Sequence, residues 1–192
     1  VADFTGRALD VRRLRKVLTP HTPPAGLAVL GVTGMAGVGK TTLAVHVAHA
    51  AATAYPDGQL YVNLAGAGPD PVAPADVLGR FLRALGVPSP AVPTDPEERA
   101  ELYRTRLTGK RVLVVLDNAA TEAQVRPLLP GAAGCTVLVT SRVRLSGLEG
   151  ARWTELDVLD ADDGVRLLAR VVDDARVDEA NADAADIVEL CG

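Results

Sequence analysis

The sequence predicts an α/β fold: a mostly parallel sheet flanked by helices on both faces. Three observations carry that expectation. Short apolar runs alternate with stretches of helical periodicity along the whole of the 192 residues. Two runs, residues 112–116 and 136–139, are almost uniformly apolar and rich in β-branched side chains, as strands covered on both faces are. Apolar residues make up 48% of the chain and aromatics only 3%, so the core must be built from Ala, Val and Leu.

From the N-terminus, Leu9, Leu14, Val17 and Leu18 give residues 10–18 the stripe of an amphipathic helix, followed by a linker holding Pro20, Pro23 and Pro24. Residues 28–32 read as a buried strand. After a glycine-rich loop, Leu43, Ala44, Val47, Ala48 and Ala51 recur at helical spacing. The Asp57-Gly58 turn introduces a second strand over 59–64 (QLYVNL), and a helix follows over 75–85. Asp95-Pro96-Glu97-Glu98 supplies a cap, a proline at the first helical position and a glutamate at the third, so a helix starts there. It runs to Leu107 with Ala100 and Tyr103 on the same face. Strands over 112–116 and 136–139 come next, then a short fifth strand at 153–156. Helices over 160–172 and 180–191 complete the reading. Ligands of such sheets bind at the carboxyl ends of the strands.

Composition excludes several classes. No run approaches the roughly 18 apolar residues of a membrane span, and Cys135 and Cys191 match no metal or disulfide spacing. A net charge of −4 disfavours non-specific DNA binding. The expectation is a cytoplasmic domain. The Val1 start and the helical pattern ending at Gly192 suggest a piece of a longer protein.

Gly34-Met35-Ala36-Gly37-Val38-Gly39-Lys40-Thr41 fills the pattern G-x-x-x-x-G-K-[ST], with a strand before it and a helix after it. Glycines let the backbone wrap phosphates with N–H groups turned inward, and the helix adds its unpaired amides and positive dipole end. Lys40 reaches the β- and γ-phosphates and the Thr41 hydroxyl ligates Mg²⁺. Thr42 either bonds the α-phosphate or caps the first turn. A P-loop NTPase fold follows, with ATP or ADP and Mg²⁺ as cofactors. The competing dinucleotide fold needs G-x-G-x-x-G with an acidic residue about 20 positions later, and that set is missing.

Two further strands end in polar residues. The run Val112-Leu113-Val114-Val115-Leu116 delivers Asp117, where the acid that holds Mg²⁺ belongs. Asn118 follows, and an amide cannot act as a general base at neutral pH, so turnover is expected to be slow unless Glu122 or Asp57 supplies the base. A turn residue bonding its own backbone is the other reading of Asn118. Arg142, after Thr140-Ser141, either reaches the γ-phosphate or lies on a solvated loop, with Arg144 as its rival.

Taken together, the loop, the V-L-V-V-L-D-N-A strand and the T-S-R segment resemble the NB-ARC branch of the STAND nucleotide-switch ATPases. They are most similar to the large, AfsR-type members of the Streptomyces antibiotic regulatory protein (SARP) family. The likeness extends to Phe4-Thr5-Gly6-Arg7, to Tyr55–Leu64, to residues 125–130 and to Leu190-Cys191-Gly192. It implies that Phe4, Gly6 and Arg7 lie on the adenine side. Gly34, Ala36, Gly37, Val38, Gly39, Lys40, Thr41 and Thr42 would hold phosphates. Lys40, Asp117 and Arg142 would serve catalysis, and Thr41 and Asp117 the metal. Ala8 stands where the family usually has a glutamate.

The resemblance further implies an adenine-side segment over 1–27, a nucleotide-binding core over 28–175 and the start of a helical subdomain over 176–192. A DNA-binding and activation domain, C-terminal repeats and ATP-dependent oligomerisation would lie beyond or follow from it, while this chain alone is not expected to bind DNA. The alternatives are a STAND protein with a signalling or defence output, or a dedicated ATPase or kinase. His46 and His49 read as surface or packing residues, the run Arg12, Arg13, Arg15 and Lys16 as a solvated face, Trp153 as packing and Cys135 as inert.

Overall fold

The computed structural model describes residues 4–20, 26–172 and 181–191. The elements in chain order are α1 (Ala8–Leu18), β1 (Ala28–Gly34), α2 (Lys40–Ala50), β2 (Gln59–Asn63), α3 (Pro74–Ala84), α4 (Pro96–Leu107), β3 (Leu113–Ala119), α5 (Glu122–Val125), β4 (Thr136–Ser141), β5 (Arg152–Leu156), α6 (Ala161–Val172) and α7 (Asn181–Cys191). The five strands form one sheet in the order β2-β3-β4-β1-β5, and every neighbouring pair is parallel. From β1 the chain crosses to the far edge, works back through β3 and β4, and then passes beyond β1 to β5. The order therefore reverses beside β1, and the crevice at the strand ends opens there.

Alternation along the strands divides the core in two. Leu113 and Val115 of β3, Leu138 of β4, and Leu30 and Val32 of β1 pack with Leu14 and Leu18 of α1 and with Leu43, Ala44 and Val47 of α2. Val114, Leu116, Val137 and Val139 face the other way, onto Val77, Phe81 and Leu82 of α3 and Ala100, Tyr103 and Leu107 of α4. Small alanines on the buried face of α2 let that helix, and the loop before it, sit close against the sheet. Each large apolar side chain fully buried in these layers contributes about 1.5–3 kcal/mol. Tyr103 is buried with them because its hydroxyl donates to the Leu128 carbonyl at 3.1 Å.

Local chemistry accounts for several boundaries. The Asp95 carboxylate accepts from the Glu97 and Glu98 amides at 2.8 and 3.0 Å, and Pro96 opens α4 as expected. Trp153 packs on the core, with Gly31 opposite it in register; a Cβ at Gly31 would collide with the indole ring. Some expectations need correction. Leu9 is exposed, because the sheet-facing side of α1 is occupied by Leu14 and Leu18. The third strand does not stop at Leu116 but runs to Ala119, through a register shift against β4. The short α5 has no apolar period to announce it; the Thr121 hydroxyl caps it by accepting from the Gln124 amide. Gly164 of α6 packs against Val188 of α7. The expected domain boundary at 175–176, most of the linker after Pro20 and the first residue of the last expected helix lie outside the described residues.

Candidate functional site: a phosphate loop beside a hydroxyl-ringed carboxylate

The loop between β1 and α2 carries Gly37 and Gly39 at φ of 80° and 95°, left-handed conformations that glycine adopts without steric cost. They turn the chain so that α2 begins at Lys40. The first amides of that helix have no partner within it. The Lys40 ammonium donates to the carbonyls of Gly34 and Met35 at 2.8 and 2.5 Å, closing the loop on itself. Burial, with the nearby Arg142 charge, holds the Lys40 ammonium below its ordinary range, while Asp117 pulls the other way. A cavity of about 370 Å³ opens over the loop and joins Gly37, Gly39, Lys40, Thr41, Thr42, Asp117, Asn118 and Arg142. Ala36 lines it too. Residues separated by a hundred positions thus meet at the carboxyl ends of β1, β3 and β4.

Asp117 is 1% exposed and accepts from three hydroxyls. Thr41 donates from the first turn of α2, 2.9 and 3.1 Å from the two carboxylate oxygens. Thr140 of β4 donates to Oδ1 at 2.5 Å, and Tyr61 of β2 donates to Oδ2 at 3.1 Å. Sequence reasoning missed Tyr61, Thr140 and Asn63, all of which line the cavity. Only the alternation of β2 hinted at Tyr61, which lies in its exposed phase. Burial, the Asp117 charge and the bond to Asp117 together raise the Tyr61 phenol above its ordinary range.

Asn118 is not a turn residue. It sits within β3 at φ 55°, where the register shift occurs, and its amide N–H donates to the Thr140 hydroxyl at 2.8 Å. Its side-chain amide lies 3.5 Å from the Asn63 oxygen. Asp57 precedes β2, at the opposite end of the sheet from the loop, and accepts from the Arg111 amide; its position removes it as a water-activating base. Glu122 accepts from the Gly147 amide at 3.0 Å, which holds its carboxyl below the usual range, and it does not line the cavity. Arg142 does line it and Arg144 does not.

A second, mostly apolar cavity of about 520 Å³ lies beside the loop. Met35, Ala36, Gly37 and Val38 form one wall, and Val158, Leu168, Val171 and Ile187 contribute to the others. Arg7 reaches its edge and ties two segments together, donating to the carbonyls of Val38 at 2.7 Å and Asp157 at 2.8 Å. Its backbone N–H donates to Asp163 at 3.1 Å, the carboxylate that a Cβ on Gly6 would strike. Phe4 stands elsewhere: its ring stacks on His46 of α2, centroids 3.9 Å apart and planes within 10°. Burial, with Arg15 and His49, holds the His46 imidazole below its ordinary range.

The donor set fits Mg²⁺. A hydroxyl and a carboxylate, both hard oxygen ligands, lie together beside the loop, and no cluster of three His, Cys, Asp or Glu side chains suited to a metal occurs among the described residues. An ion held by one or two protein oxygens keeps coordination positions for phosphate and water, the usual arrangement for this cation.

The model of the NB-ARC domain family matches residues 8–178. The chain belongs to the NB-ARC family. Regulatory protein AfsR of Streptomyces coelicolor (strain ATCC BAA-471 / A3(2) / M145) is 53% identical over 196 residues, covering all of this chain and 20% of that protein. Regulatory protein AfsR of Streptomyces griseus is 50% identical over 192 residues, with the same shares. This NB-ARC chain therefore spans one fifth of the length of these relatives. Among solved structures, the STAND protein PH0952 of Pyrococcus horikoshii, which has a tetratricopeptide repeat sensor, aligns with a TM-score of 0.56 at 20% identity, over 90% of this chain and 26% of that one. The Aeropyrum pernix ORC1 protein, solved in complex with DNA, aligns with a TM-score of 0.62 at 19% identity, over 87% and 49%. Likeness at that identity concerns the fold. It is the fold in which the NB-ARC loop and acid are found here.

Proposed function

We propose that this NB-ARC domain is the Mg²⁺-dependent ATP/ADP switch of a multidomain transcriptional regulator of secondary metabolism. The observation that carries the reading is the meeting of Thr41 with Asp117 over a complete phosphate loop. In it, the loop amides and the Lys40 ammonium hold the phosphates. Thr41 and Asp117 hold the cation, which when bound would neutralise phosphate charge. Arg142 faces the same cavity from the end of β4 and senses the terminal phosphate. The base occupies the apolar cavity edged by Arg7. Asp117 is the sole carboxylate among the cavity-lining residues and Asn118 offers an amide in place of a base, which favours holding nucleotide over rapid turnover. A DNA-binding domain, activation region and repeat domain elsewhere in the regulator would read the state, and the ATP form would favour self-association.

Calorimetry of ATP and ADP binding to the wild type and to Lys40→Ala tests this. The wild type binds both in the presence of magnesium, and the variant loses most of that affinity because the loop gives up its cation. Equal binding by the two proteins would remove the loop from the site.

A further inference from the structure

Tyr61 has no part in the reading above, yet its hydroxyl meets the carboxylate on which that reading depends. Three hydroxyls surround Asp117, and they are not equivalent. Thr41 is itself a cation ligand in the proposed function. Thr140 is buried within β4 and engaged twice, accepting from the Asn118 amide and donating to Asp117 Oδ1. Tyr61 is about half exposed and makes one polar contact, to Oδ2.

The register explains how it gets there. Asn63 pairs with Asp117 and Tyr61 with Val115, so Tyr61 and Asp117 share a face two residues apart along the strands. A long side chain on edge strand β2 can lean forward to the carboxylate, where a shorter one would stop short. Without Tyr61, Oδ2 would keep only the Thr41 hydroxyl, the same group that the cation engages in the proposed function. The Tyr61 hydroxyl closes the third side.

We propose that Tyr61 is a positioning residue for the cation: its phenol fixes the orientation of the Asp117 carboxylate so that this group meets hydrated Mg²⁺ beside Thr41 without reorganising. This rests on the nucleotide reading given above. Its consequence is specific, because the phenol's hydrogen bond goes to the carboxylate that would hold the cation and not to a group of the phosphate-binding loop. Removing the hydroxyl and keeping the ring should therefore weaken ATP binding with magnesium and leave binding without it alone. A purely structural role would weaken both alike.

The experiment measures ATP dissociation constants by calorimetry, with excess Mg²⁺ and with EDTA, for the wild type, Tyr61→Phe and Lys40→Ala. For Tyr61→Phe the gain in affinity on adding magnesium should fall by about 5–10-fold, the size expected on losing one partly exposed hydrogen bond to a charged group. Its affinity in EDTA should stay within about twofold of wild type. Lys40→Ala should weaken binding in both conditions. A magnesium gain in Tyr61→Phe equal to that of the wild type overturns the proposal and leaves the nucleotide reading standing. Parallel losses with and without magnesium also overturn it, assigning Tyr61 to the fold. If the wild type binds no ATP in either condition, the nucleotide reading fails and the proposal fails with it.

Discussion

At the scale of single residues, Lys40 and Arg142 place two cations over one cavity, close enough for the Arg142 charge to weigh on the Lys40 ammonium. Their reach differs. Lys40 is rooted in the glycine-rich loop before α2, whereas Arg142 approaches from the strand next to β1. Arg142→Ala should weaken ATP more than ADP, by about 1–3 kcal/mol or roughly 5–150-fold in the ratio of dissociation constants, because a charge-assisted contact is lost only with the longer nucleotide. Paired titrations of an ATP analogue and ADP at one magnesium concentration check this. An equal loss for both would reduce Arg142 to general attraction for phosphate. Asn118 completes the picture at this scale. Its left-handed backbone places an amide beside the acid, and its own N–H braces Thr140, so it serves the geometry of Asp117 without supplying a base.

At the scale of elements, the segment before α1 is attached to α2 and α6 by a few named contacts. Phe4 stacks on His46, Arg170 of α6 donates to the Phe4 carbonyl at 3.1 Å, and Arg7 bridges the phosphate loop to the end of β5. The folded state holds the His46 imidazole below its ordinary value of 6.5, so the unfolded chain binds the proton more readily. The sign follows: this contribution is intact above about pH 6.5, is lost as the pH falls through that value, and stays lost below the depressed folded value. Thermal midpoints of the wild type should therefore fall on acidification from about pH 7 more steeply than those of His46→Gln, which has no proton to take up. Parallel curves for the two proteins would mean that His46 plays no part.

At the scale of the whole molecule, both core layers serve the same end of the sheet. The alanine-rich face of α2 lies against β1, β3 and β4, so the helix that carries Thr41 is held where β3 delivers Asp117. No helix among the described residues is long and apolar enough to cross a membrane. With a net charge of −4 and the basic run of α1 confined to one short helix, the domain by itself should give no sequence-specific band in a mobility-shift assay at about 0.15 M salt. A specific band at that salt would place DNA reading within this domain.

The sequence by itself determined the parts that short windows encode. The α/β alternation, the cap of α4, the phosphate loop with Lys40 and Thr41, and the apolar strand ending in Asp117 all depend on residues within a few positions of one another. The resemblance of those segments in order was enough to indicate the NB-ARC family. Only the tertiary structure decided what surrounds Asp117. Tyr61 and Thr140 lie 56 and 23 residues from it, and they meet because β2 and β4 flank β3 in register. The same placement put Asp57 at the wrong end of the sheet, brought Arg142 rather than Arg144 to the cavity, and paired Phe4 with His46. Periodicity shows which face of a strand is buried, but not which strand lies beside it. Hydrogen-bond partners across a sheet follow from that neighbourhood.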